Sequence, residues 1–154
     1  MNNEFKNDWA LILGGSSGLG LASAKKMAAH GANICIVHRN RKTDLETFSS
    51  EVKTMESLGV KVLTFNQDAL KQETIAEVVS ELPKNSVKIL LHSIAKGSLK
   101  PLSGAVNEQL TKEDLMITIN AMALSWLEWT QALLNENKFS ESARNIAFTS
   151  EGNT

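Results

Sequence analysis

Gly14-Gly15-Ser16-Ser17-Gly18-Leu19-Gly20 follows a short apolar run and leads directly into the amphipathic stretch 19–29. Glycines at this density let a backbone turn tightly and approach a ligand with no side chain in the way. Where such a turn opens a helix, the helix's free N–H groups and partial positive charge face one point, which suits a pyrophosphate. Gly14 and Gly15 are expected to take positive φ in the turn, and Gly18 to let backbone N–H groups reach the phosphates. Gly20 is expected to let the helix pack closely on a sheet. Ser16 and Ser17 add hydroxyl donors. No Lys-Ser or Lys-Thr pair follows the glycines, so the loop is not a Walker phosphate loop.

A second cluster follows the next apolar run, in His38-Arg39-Asn40-Arg41-Lys42. A carboxylate at this place would accept a bond from a ribose 2′-hydroxyl and repel a 2′-phosphate. A guanidinium binds that phosphate through charge-assisted hydrogen bonds. Arg39 therefore favours NADP(H) over NAD(H), and His38 either adds a bond to the same phosphate or is simply exposed. His30 suits a helix C-terminus electrostatically. His92 ends an apolar run and reads either as support for a cofactor loop or as a satisfied core histidine. The three histidines and single Cys35 show no metal-ligand spacing, so no metal is expected. Cys35, inside Asn33-Ile34-Cys35-Ile36-Val37-His38, reads as a buried small hydrophobe.

These residues need elements to position them. Apolar runs at 9–13, 33–38, 61–65, 88–92 and 145–149 lack in/out alternation, as parallel strands covered on both faces do. Helical patterns separate them: 19–29 closing on His30-Gly31, a helix opened by a Thr43–Glu46 capping box and stopping at Gly59, and 72–82 ended by Pro83. Thr111 to Asp114 starts a long helix to about Asn135. The order β-α-β-α-β-α-β-α-β predicts an α/β, Rossmann-type, doubly wound parallel sheet. Trp126 and Trp129 in the long helix read first as core packing. Its remaining apolar residues offer a second stripe for a homo-oligomer contact through 111–135.

The glycine spacing G-x-x-x-G-x-G resembles that of the short-chain dehydrogenase/reductase family. The resemblance continues in order along essentially the whole chain, through Gln67-Asp68-Ala69, His92-Ser93-Ile94-Ala95, Thr118-Ile119-Asn120-Ala121 and Phe148-Thr149-Ser150. It implies that Gly14, Ser16, Ser17, Gly18, Leu19 and Gly20 hold the pyrophosphate and that His38 and Arg39 face the adenosine ribose. Asp68 and Ala69 would meet the adenine, and Ser93, Ile94 and Ala95 the nicotinamide side. Ser150 would orient a substrate carbonyl, and Asn120 would support a catalytic lysine through water. Two features depart from the usual pattern. Leu13 stands where a threonine is common. His92-Ser93-Ile94-Ala95 replaces Asn-Asn-Ala-Gly and resembles enoyl-acyl-carrier-protein reductases, although Glu151 stands where that branch has a tyrosine.

The family's Y-x-x-x-K motif would follow the fifth strand, and the chain contains no tyrosine. Residues 1–154 are therefore expected to be the N-terminal cofactor-binding part of a longer reductase, inactive alone. The substrate is expected to be a carbonyl compound, such as a 3-oxoacyl thioester. An enoyl thioester is the alternative within the superfamily, and a non-catalytic nucleotide-binding module is the alternative of another class. A composition of 42% hydrophobic and 21% charged residues suits a soluble globular domain. The net charge of −1 gives no electrostatic case for nucleic acid or anionic membrane. With one cysteine and no secretory leader pattern, a cytoplasmic location is expected.

Overall fold

The computed structural model describes residues 4–149. In chain order they form β1 (Trp9–Leu13), α1 (Gly18–Ala29), β2 (Asn33–His38), α2 (Lys42–Glu56), β3 (Val62–Asn66), α3 (Gln72–Glu81) and β4 (Val87–His92). There follow α4 (Lys112–Ile119), a π-helical turn (Asn120–Leu124), α5 (Ser125–Asn135) and β5 (Phe139–Ala147). The five strands make one parallel sheet in the order β3-β2-β1-β4-β5. This is the doubly wound arrangement that the alternating elements predict.

The continuous apolar runs have a direct explanation. Along β1, Leu11 and Leu13 join the core on one face with Val37, Leu90, Trp129 and Leu133. Ala10 and Ile12 join the other with Ala24, Ile34, Ile36 and Met55. Both sides of the central strands are covered, so apolar residues fill successive positions on both faces. Cys35 is fully buried, and burial pushes its thiol pKa up, consistent with an inert core residue. The outer strands depart from this pattern: β3 is only partly buried and β5 is mostly exposed.

Several element boundaries differ from the sequence expectation. The fifth strand begins at Phe139 and ends at Ala147. Val87 pairs with Phe139 and Ile89 with Arg144, so β5 bulges between them, with Ser142 at φ 57°. Helix α2 has Arg41 at its N-cap and no side-chain cap; Thr43 lies inside the first turn and donates to Asp44 instead. The long helix does start with a capping box, in which Thr111 accepts from the Asp114 N–H. Its regular pattern is interrupted by the π turn. Trp129 and Leu133 are fully buried, as the core reading requires, and Trp126 is half-buried with its indole N–H on Asn145. No residue of α4 is buried. Met116, Leu127 and Leu134 are about half exposed, at 47%, 51% and 58%.

Candidate cofactor site

A cleft of about 530 Å3 lies outside the carboxyl ends of the strands, where the strand order reverses between β1 and β4. It brings together Gly14, Ser16, Ser17, Gly18 and Leu19 after β1, His38 and Arg39 at the end of β2, and Asp68 and Ala69 after β3. Ser93, Ile94 and Ala95 follow from β4, and Phe148 and Thr149 from β5. The cleft also takes in Val37, Leu70, Lys96 and Met122, to which sequence reasoning assigned no role. Gly20 sits behind the loop. Asn120 is exposed at the start of the π turn and does not line the cleft. Ser150 lies outside the described residues.

The loop is an extension of the sheet. Gly14 N donates to Val37 O at 2.8 Å, and Ser93 N donates to Leu13 O at 2.8 Å. Gly14 has φ 83°, and a Cβ there would lie 2.5 Å from the Ser93 carbonyl oxygen. Gly18 has φ 53° with nothing within 4 Å of its Cβ position, so the space beside it is open for a ligand. The other two glycines serve differently from expectation. Gly15 lacks positive φ, and a Cβ there would meet the side chains of Ile12 and Ile36 at 2.9 Å. A Cβ on Gly20 would collide with the Gly14 carbonyl oxygen, so its role is closure of α1 onto the loop rather than onto the sheet. Ser17 precedes α1 in extended backbone, and its hydroxyl makes no capping bond. The first N–H groups of α1 and this hydroxyl could together receive an anion.

At the ends of β2 and β3, Arg39 Nη1 donates to Asp68 Oδ2 at 2.9 Å, and Leu70 N donates to Asp68 Oδ1 at 3.0 Å. The pair joins the ends of β2 and β3 across the cleft. Asn66 ties the same two loops together, accepting from Asn40 N at 2.9 Å and donating to Asn40 O at 3.2 Å. No spacing signal links residues so far apart in sequence. His38 is buried, its ring 4.4 Å from that of Phe48 and its Nδ1 3.1 Å from Asn40 Oδ1. Burial pulls its pKa below the usual value, against the Asn40 bond, so the ring is neutral at pH 7. His38 thus walls the site as an uncharged imidazole.

At the other end, Trp129 Nε1 donates to Ala69 O at 2.9 Å and fixes that stretch of the wall. His92 is buried, with Nε2 2.8 Å from Ser125 Oγ. Burial lowers its pKa, opposed by the carbonyls of His92 and Ala121. Two histidines that resist protonation in the folded state have a consequence for acid stability. Their unfolded value is near 6.5. Below it the unfolded chain takes up protons that the folded chain refuses, so stability is full above that pH and falls below it. We expect thermal melts to show a lower Tm at pH 5.5 than at pH 7.5, and equal values would contradict the buried neutral rings.

Comparison with known proteins agrees with this fold. The sequence matches the short chain dehydrogenase family over residues 8–152. It is 30% identical over 138 residues to a very-long-chain 3-oxoacyl-CoA reductase of Kluyveromyces lactis, covering 88% of this chain and 38% of that protein. It is 31% identical over 140 residues to the uncharacterized oxidoreductase YhxC of Bacillus subtilis, covering 90% of this chain and 47% of that protein. The chain thus spans less than half the length of these curated relatives. A short-chain dehydrogenase from Burkholderia cenocepacia in complex with NADP has the same fold, with a TM-score of 0.72 at 23% identity, over 94% of this chain and 56% of that one. With the glycine loop, the strand order and the family match in agreement, the chain belongs to the short-chain dehydrogenase family.

Proposed function

We propose that residues 1–154 are the N-terminal, cofactor-binding part of an NADP-dependent reductase acting on the ketone of a 3-oxoacyl thioester. The observation that carries the cofactor choice is Arg39, which lines the cleft just after β2, where an NAD enzyme of this fold has a carboxylate. Its Nη1 is held by Asp68, and the remaining N–H groups of the guanidinium are available to a 2′-phosphate. The cradle of Ser16, Ser17, Gly18 and Leu19 would hold the pyrophosphate, with Asp68 and Ala69 at the adenine and Ser93 to Ala95 at the nicotinamide side. When bound, the dinucleotide supplies the hydride. Ser150 would orient the substrate carbonyl and Asn120 would support a lysine. The proton would come from the tyrosine of the family's Y-x-x-x-K motif, a residue type that 1–154 lack. The names of the 3-oxoacyl-CoA reductase relatives support the thioester substrate class.

We further propose a cytoplasmic homo-oligomer, with the half-exposed apolar residues of the 111–135 helix as its contact. Among the described residues no helix is long and apolar enough to cross a membrane.

NADPH oxidation by the full-length protein, assayed with a 3-oxoacyl-CoA and a 2-enoyl-CoA, tests the reading. Turnover of the 3-oxo substrate is expected. Activity confined to the enoyl substrate would favour the second reading, which His92-Ser93-Ile94-Ala95 supports. Calorimetry should show tighter binding of NADPH than of NADH. Arg39→Asp should reverse that order, weakening NADPH about tenfold to hundredfold, the loss expected for charge-assisted bonds. Equal affinities in the unmutated protein would overturn the cofactor assignment.

A further inference from the structure

The π turn Asn120–Leu124 contains neither glycine nor proline, and its sequence Asn-Ala-Met-Ala-Leu suits an ordinary α-helix. Something outside the turn must hold it open. The Ser125 N–H reaches past Ala121 to the Asn120 carbonyl, so the Ala121 carbonyl loses its α-helical partner. The Ser125 hydroxyl takes that place, donating to Ala121 O at 2.8 Å. Having given away its only hydrogen, Ser125 Oγ must accept from His92 Nε2, 2.8 Å away. Ala121, Ser125 and His92 are all at most 1% exposed, so water cannot replace either bond.

We propose that Ser125 is a wedge and His92 its lock, two positioning residues that fix the π turn relative to the cofactor cleft. The His92 backbone pairs with Leu13 and Ala147 in the sheet, which anchors the imidazole to the strand that also supplies Ser93 to Lys96. Because α4 has no buried residue, core packing does not set its rotation about the helix axis. The turn does. If it closed to α geometry, one residue would be taken up elsewhere and the preceding helix would rotate by about 100°. Met122, at the cleft wall, and Asn120 would move with it.

The kinetic part of the test rests on the reductase reading; the structural part does not. In the unmutated full-length protein, 15N NMR should find His92 protonated at Nε2, and protonation at Nδ1 alone would overturn the proposal without any variant being made. A crystal structure of the Ser125→Ala protein should show residues 120–124 as α-helix, and retention of the π turn would overturn the wedge. Ser125→Thr, which keeps the hydroxyl, should keep the turn. In turnover, Ser125→Ala should lower kcat at least tenfold while the dissociation constant for NADPH stays within twofold, and Ser125→Thr should recover most of the loss. A kcat unchanged in Ser125→Ala would overturn the positioning role.

Discussion

Gly18→Val should leave the protein folded and remove dinucleotide binding. Gly18 has φ 53°, a left-handed conformation that costs an L-residue about 1–2 kcal/mol. That is a fraction of the roughly 5–15 kcal/mol by which domains are stable, so a modest fall in Tm is expected. Nothing in the protein lies within 4 Å of the added Cβ, so the new side chain meets no wall. It enters instead the open space in which a pyrophosphate would contact the backbone. The affinity measured by calorimetry should fall at least about a hundredfold, the equivalent of one or two charge-assisted hydrogen bonds. A folded variant with unchanged affinity would refute the phosphate-loop assignment. Gly20→Ala should behave differently. Its methyl group meets the Gly14 carbonyl, so the loop itself must deform and stability falls with binding.

The largest loss of stability is expected from Trp129→Ala. The indole is fully buried, packs in the core with Leu11, Leu13, Leu90 and Leu133, and donates to Ala69 O. Truncating a buried tryptophan to alanine costs about 3–5 kcal/mol, through lost burial and the cavity left behind. Here the Ala69 carbonyl also loses its partner, at the wall of the cleft. Urea unfolding should show the midpoint drop accordingly, with cofactor affinity weakened as well. Trp126→Ala, at a half-buried position, should cost much less. Equal effects at the two positions would mean that the helix faces the core differently from the structure.

The central architecture was legible because burial on both faces forces a distinctive pattern. Runs such as Leu11-Ile12-Leu13 and Ile34-Cys35-Ile36-Val37 have no polar positions, and the chain order of strands and helices then restricts the topology. The glycine loop was legible because its backbone has requirements few other residues meet. β5 was read late because its exposed residues, such as Glu141, Ser142 and Arg144, carry no apolar signal and its bulge breaks any period. The Thr43 box failed because a matching spacing does not oblige the chain to start a helix there. The π turn has no glycine or proline to mark it, and the bond that holds it comes from a histidine on another element. The Arg39–Asp68 pair is likewise a product of sheet order, which sets the ends of β2 and β3 side by side.

The strand order also fixes a sequence of events during synthesis. β1 emerges early and pairs with β2 on one side, and β2 with β3. Its other edge waits for β4, which follows two intervening strands and three helices in the chain. Until then the apolar edge of β1 is open to other chains, and chaperone protection matters most in that interval. The phosphate loop is also incomplete in that interval, because Ser93, which seats the turn at Leu13 and Gly14, has yet to arrive. A nascent chain that ends before β4 carries every glycine of the loop and still has no cradle. Under the proposed function, ligand binding would report on the closing of the sheet, and added dinucleotide would stabilise only chains in which β1 and β4 have met.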